Sequence, residues 1–340
     1  MITRLGPRLL VAVTVALASV LVTGVAGASQ GAEVVKIKYS TSFGTLGREA
    51  YAYVALEKGY FRDAGFDVSI TPGTGTVNVA TLVSSGQVDY GPGDFTAVVL
   101  ARANAGLPVK CVANIQQSTL ASYLARRDSG INTWKDFEGR TLGAPPGATG
   151  AVLFPYTAKK AGIDASKVTF VPTTPQTGPA LLAAKKIDIY EQFVVGMPTV
   201  RAAIGGDPLR SFPVASVVPG LMGNCLMVSD TKLRNNPAEV RRFTAALLKG
   251  LRWSLDNPGQ AGAILQKHVP LADYALAAQE LRLMKRYSRT AVTKEKGLGY
   301  IDPKRVDATT SIVNSFFKPK NRVTRNEVYA PGFLPTKPIK

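Results

Sequence analysis

Histidine and cysteine are almost absent from this chain: one His and two Cys stand among 340 residues. That scarcity excludes a zinc site of the usual four nitrogen and sulfur ligands. His268 lies just before Pro270 with no triad signature around it, so Ser-His-Asp hydrolysis has nothing to build on. Acidic residues are also scarce, 23 against 41 Lys and Arg, for a net charge of +18. The basic residues are scattered in pairs such as Arg126-Arg127, Lys159-Lys160, Lys185-Lys186 and Arg241-Arg242. Such pairs read as solvated helix faces. No recognition helix, basic tail or aromatic-basic repeat points to nucleic acid. Beyond the N-terminal region no apolar run is long enough to span a membrane.

What is present begins with Arg4 and Arg8, an apolar run from Leu9 to Val22, and Ala26-Gly27-Ala28. A basic start, an apolar stretch and a small-x-small site read as a cleaved secretory signal peptide over 1–28. A retained anchor would need a basic stop signal, which is missing, and no cysteine near the site offers a lipid attachment. An exported protein without an anchor suits a periplasm. Without those residues the charge is +16. About 310 residues remain, more than one core usually organises, so two lobes are expected. Export also permits a disulfide between Cys111 and Cys225. Both lie in apolar strand-like runs, where two buried thiols are the alternative and the slightly favoured one.

The most informative stretch is Tyr51 to Thr71. Tyr51, Val54, Ala55 and Lys58 share a helical face, and Gly59 supplies a left-handed stop that Tyr60 and Phe61 can cover. After the turn at 63–65, Val68 and Ile70 alternate as a strand. With the strand Val34 to Tyr39 before it, this is a compact βαβ unit. Gly73-Thr74-Gly75 then puts small residues where a strand hands over to the helix Val77 to Ser84, the end of an open α/β sheet where ligands usually bind. It lacks the third glycine and the lysine of a phosphate loop.

Ser85 to Gly91 reads as a turn and short strand, and Asp94 as the N-cap of the helix Thr96 to Ala105. Pro145 to Gly150 opens the helix Ala151 to Ala161 with small residues and free amides, a place that attracts an anion or is simply a rigid turn. Ile187-Asp-Ile-Tyr-Glu191 repeats the pattern of Gly86-Gln-Val-Asp-Tyr90, so two β-α-β runs end alike, and Glu191 and Gln192 mirror Asp94. Two facing acids, Asp94 and Glu191, suit acid-base work as well as the binding of an amine or amide. Asn236, Pro237 and Glu239 read as a capping box. Residues 321–340 read as an extended strap.

Four stretches carry a family resemblance: Ala55-Leu-Glu-Lys-Gly59-Tyr-Phe with Gly65-Phe-Asp-Val; Ser85-Gly-Gln-Val-Asp89-Tyr-Gly91; Thr133-Trp-Lys-Asp-Phe-Glu-Gly139-Arg-Thr-Leu-Gly143; and Gly299-Tyr-Ile-Asp302 with Glu327-Val-Tyr-Ala-Pro-Gly-Phe333-Leu-Pro335. Together they resemble the periplasmic substrate-binding proteins of ABC importers for nitrate, sulfonates, taurine and thiamine-pyrimidine precursors. The resemblance implies an α/β, type II periplasmic-binding-protein fold, with two α/β lobes, a two-strand hinge and the ligand in the cleft. Lobe 1 would hold 33–118 and 226–340, lobe 2 119–225. It implies a monomeric, non-enzymatic component that captures a small polar organic ligand, such as a sulfonate or pyrimidine precursor. Hinge closure would then present it to a permease and ATPase; a membrane sensor is the other partner. No cofactor or metal is implied.

Carried over, the ligand loops are Thr41, Ser42, Phe43, Gly44 and Thr45; Gly73, Thr74 and Gly75; Asp94 and Phe95; Ala148, Thr149 and Gly150; and Glu191 and Gln192. The loop after the first strand lacks the aromatic tryptophan of several pyrimidine binders, leaving Phe43, Phe95 or Tyr123 to stack. The cysteine-rich motif of the yeast pyrimidine-synthesising relatives is absent, so their self-consuming activity is not implied.

Overall fold

The computed structural model describes Met1, Ile2 and residues 34–340. The expected signal peptide, those two residues apart, lies outside the described residues. Among the described residues no helix is long and apolar enough to cross a membrane.

Among the described residues ten strands make two five-stranded layers of matching design, the first built from a ribbon and a trio. Parallel β1 (Val35–Ser40) and β2 (Phe66–Thr71) form one ribbon, and β10 (Asn224–Ser229) runs antiparallel between β3 (Gly91–Asp94) and β4 (Val109–Asn114). A parallel bridge from Tyr39 to Tyr90 joins ribbon and trio, giving the order β2-β1-β3-β10-β4. The second sheet contains β5 (Ala121–Arg126), β6 (Thr141–Ala144), β7 (Thr169–Pro172), β8 (Ile189–Phe193) and β9 (Leu209–Pro213), in the order β7-β6-β8-β5-β9. In each, three parallel strands are followed by one antiparallel strand and then a fifth antiparallel to that.

The sequence echo around residues 89 and 188 thus has a structural basis. Asp89 accepts a hydrogen bond from the Lys38 amide at 2.7 Å, and its own amide bonds the Lys38 carbonyl. Asp188 accepts from the Thr141 amide at 2.9 Å and returns its amide to the Thr141 carbonyl. Each aspartate pins the first parallel strand of its sheet. The short strand expected after the turn at 85–91 lies later, at Gly91–Asp94; residues 85–89 form the turn that carries Asp89, and Tyr90 makes a single bridge to Tyr39.

Two crossings connect the sheets, 115–120 and 214–223. They are tied together where the Ile115 amide meets the Asn224 carbonyl at 2.7 Å and the Thr119 amide meets the Leu221 carbonyl at 3.0 Å. Cys111 on β4 and Cys225 on β10 form a disulfide with Cα atoms 5.5 Å apart. The two thiols favoured from sequence are therefore one bridge: Cys225 pairs with Asn114 and Cys111 with Met227, and the register shift between them leaves the two cysteines diagonal neighbours.

Helix Pro237–Asp256 covers the first sheet. Its Phe243 stacks on Tyr90 at 4.0 Å and on Phe61 at 5.0 Å, with Tyr39 and Phe66 around it. Gly59 ends the helix Ala50–Glu57 at φ 73° and turns Phe61 into that core. The expected capping box is not made: Glu239 accepts from the Tyr90 hydroxyl at 2.8 Å and from Lys232 at 2.7 Å instead. A charge-assisted contact to a buried tyrosine outcompetes a reach back to its own N-cap. Strand β9 was not foreseen; Gly205-Gly206-Asp207-Pro208 reads as a break, and Leu209-Arg-Ser-Phe212 alternates only briefly. The C-terminal strap lies along β4, with the Ala330 amide on the Cys111 carbonyl, and contains the short helix Arg325–Val328.

Candidate functional site

Loops leaving β1, β2 and β6 and the end of β8 converge on one narrow cavity. Its centre has room for about one water. The first sheet's side contributes Ser42, Phe43, Arg48, Gly75 and Thr76; the second sheet's side contributes Ala148, Thr149, Glu191, Gln192 and Phe193. Strand C-termini of both sheets thus face one space, as in other open α/β ligand sites.

The sequence set divides accordingly. Ser42, Phe43, Gly75, Ala148, Thr149, Glu191 and Gln192 line the cavity. Thr41, Gly44, Gly73 and Thr74 build the paired loops behind them. The Thr41 hydroxyl donates to the Gly44 carbonyl and accepts from the Gly73 amide, and Phe43 bridges to Thr74. Thr45 faces a separate depression beside Leu271 and Ala277. Asp94 and Phe95 are fully buried behind the wall. Asp94 acts as the N-cap, accepting from the Thr96 amide at 3.0 Å, and takes a 2.7 Å bond from the Thr119 hydroxyl. Gly150 sits under Glu191: its amide donates to Glu191 Oε1 at 2.9 Å, and a Cβ there would meet Glu191 Cγ at 2.4 Å. Only a glycine lets that carboxylate lie on the helix N-terminus.

Burial sets the electrostatics. Loss of water pushes Glu191 up to about 7, with Asp94 adding to the rise and Gly150 and Arg48 opposing it. Asp94 is pushed up to about 6 by burial against its three donors. Glu49 and Glu280 are also raised by burial, with Arg48 opposing.

Three wall residues escaped the sequence reading: Arg48, Thr76 and Phe193. The Thr76 hydroxyl lies 3.3 Å from that of Thr149 on the opposite side and accepts the Asp94 amide at 3.1 Å. Arg48 sits in the turn Gly47–Glu49, 1% exposed. Gly47 permits that turn, because a Cβ would strike the Ala277 backbone at 2.3 Å. The guanidinium lies over the Phe193 ring at 4.9 Å and the Phe43 ring at 5.8 Å. Its position before a helix was the available signal, since the first turn disfavours cations. Among the described residues no group of three or more His, Cys, Asp and Glu could hold a metal.

Comparison with known proteins agrees with this architecture. Residues 49–261 match the model of a family described as NMT1/THI5 like. The riboflavin-binding protein RibY of Chloroflexus aurantiacus is 28% identical over 263 residues, 74% of this chain and 72% of the relative. The 4-amino-5-hydroxymethyl-2-methylpyrimidine phosphate synthase THI11 of Saccharomyces cerevisiae is 26% identical, over 62% of this chain and 64% of that one. Among solved structures, the alkanesulfonate-binding protein SsuA from Xanthomonas axonopodis pv. citri, bound to MOPS, superposes with a TM-score of 0.70 at 14% identity, covering 88% of this chain and 100% of that one. The α/β fold is that of the periplasmic binding proteins, as the four sequence stretches led us to expect.

Proposed function

We propose, for a chain that belongs to the NMT1/THI5-like family, the role of solute-binding component of an ABC importer. It captures a small polar organic molecule in the cleft and hands it to a permease and its ATPase. The lobes are 33–118 with 226–340, and 119–225; they close as units about the paired crossings. The chain works in the periplasm as a monomer after loss of residues 1–28, without cofactor. The observation that supports this most is a cavity walled by strand ends of both sheets, which a hinge motion would open and shut. Ligand capture by relatives named for riboflavin and alkanesulfonate binding agrees with it.

The synthase name of the yeast relative makes an exported enzyme the second reading. Against it, Asp94 is engaged as a cap, so Glu191 is the one carboxylate on the wall among the described residues, and no facing acid pair stands ready. Small-angle scattering and thermal shift across sulfonates, pyrimidines, flavins and organic acids test the binding role. Compaction with a raised melting temperature is expected for one class; RT ln(1 + [L]/Kd) gives about 2.7 kcal/mol at a hundredfold excess over Kd. Turnover of a bound compound, or no response in any class, would contradict it.

A further inference from the structure

Resting on the reading of this cleft as a binding site, we propose that its occupant is a small organic acid whose carboxylate is received by Arg48. The guanidinium is buried, yet Nε and Nη1 have no hydrogen-bond partner among the described residues; Nη2 reaches only the Phe43 carbonyl, at 3.4 Å. A buried charged donor without an acceptor is costly and is normally retained for a partner.

The nearby carboxylates balance its charge without hydrogen-bonding its free nitrogens. Glu49 approaches Nε no closer than 3.9 Å and accepts instead from the Ser42 amide and hydroxyl and from the Tyr51 hydroxyl. Glu280 accepts the backbone amide of Arg48 at 3.1 Å and the Thr199 hydroxyl at 2.6 Å. Both hold the turn that carries Arg48 while leaving its side-chain nitrogens open. Nη1 faces the wall at Gln192 and Gly196, where a Cβ on Gly196 would come within 3.1 Å of it.

The narrowness of the cavity favours a planar two-oxygen group over a bulkier three-oxygen tetrahedral one, and the guanidinium beside Phe43 and Phe193 can pair such a group through two parallel N–H bonds. Elsewhere on the wall Glu191 suits a hydroxyl, amine or amide of the same acid.

The test is a thermal-shift and calorimetric panel of two- to eight-carbon mono- and hydroxycarboxylic acids and aromatic acids, each beside its amide and its sulfonate. The same panel is run on Arg48→Gln and Arg48→Lys. The acids alone should bind, with affinity lowered roughly 10- to 100-fold in Arg48→Gln and less in Arg48→Lys. Unliganded Arg48→Gln should melt lower than the parent, since Glu49, Glu191 and Glu280 lose the charge that offsets them; a collapsed variant leaves Arg48→Lys as the readout. A sulfonate or neutral amide that binds more tightly than its acid, or an acid that binds Arg48→Gln unchanged, overturns the carboxylate assignment while leaving the binding role standing. Failure of every acid in the panel overturns it too, and silence across sulfonates, pyrimidines and flavins as well would remove the binding role itself.

Discussion

The hydroxyls of Thr76 and Thr149 lie 3.3 Å apart across the cleft, each at the start of a helix, one from each sheet's side. Under the proposed hinge motion, opening the cleft would separate them. Replacing Thr149 by valine keeps the shape and removes the contact. Ligand affinity should fall roughly 3- to 10-fold, the size of one net hydrogen bond at about 0.5–1.5 kcal/mol. Scattering at subsaturating ligand should show less compaction in the variant than in the parent; an unchanged radius and affinity would mean that the pair does not help hold closure.

The buried acids give the unliganded protein a defined pH response. Asp94 rises from 3.8 to about 6 and Glu191 from 4.5 to about 7 on folding, so the folded state binds more protons than the unfolded one between those values. Their contribution is therefore full at low pH and is lost as pH climbs towards 7. Glu49 and Glu280 shift in the same direction, whereas exposed Asp128 and Glu138, held near 2 by their hydrogen bonds, act at lower pH. Melting temperature should decline between about pH 4.5 and 7, and more shallowly in Glu191→Gln. A parallel curve for that variant would remove Glu191 from the account.

Much of this arrangement was legible in the chain. Gly59, Asp94 as a cap and the echo of Asp89 in Asp188 are local signals, each fixed by a few neighbouring residues. What escaped depends on distant partners. Glu239 has the spacing of a capping box but finds Tyr90, far away in sequence. Strand β9 exists because β5 offers it an edge, not because its own alternation is strong. Beyond its place before a helix, no local pattern singles out Arg48; only the folded chain, with Ala277 pressed on Gly47, buries it in the cleft wall.

The bridge between Cys111 and Cys225, 114 residues apart in sequence, restrains the unfolded chain and ties the strands flanking both crossings. Its loss, by reduction or by the double change to serine, should cost about 2–4 kcal/mol. Chemical denaturation with and without dithiothreitol reads this directly, and coincident curves would contradict it.

Phe243 anchors the first sheet's core against Tyr90, Phe61, Tyr39 and Phe66. Phe243→Ala should lose about 3–5 kcal/mol, as for other buried aromatic truncations. A loss below about 1 kcal/mol, the typical figure for an arbitrary substitution, would show that the stack is not central.

The claim on which the rest depends is that this chain holds one small molecule in its cleft. Native mass spectrometry of the protein taken from the cells that make it tests this most directly. The account predicts a single one-to-one adduct of low mass that is depleted in Arg48→Gln prepared the same way. A bare chain in every preparation, or an adduct equally abundant in that variant and too large for the cavity, would contradict it.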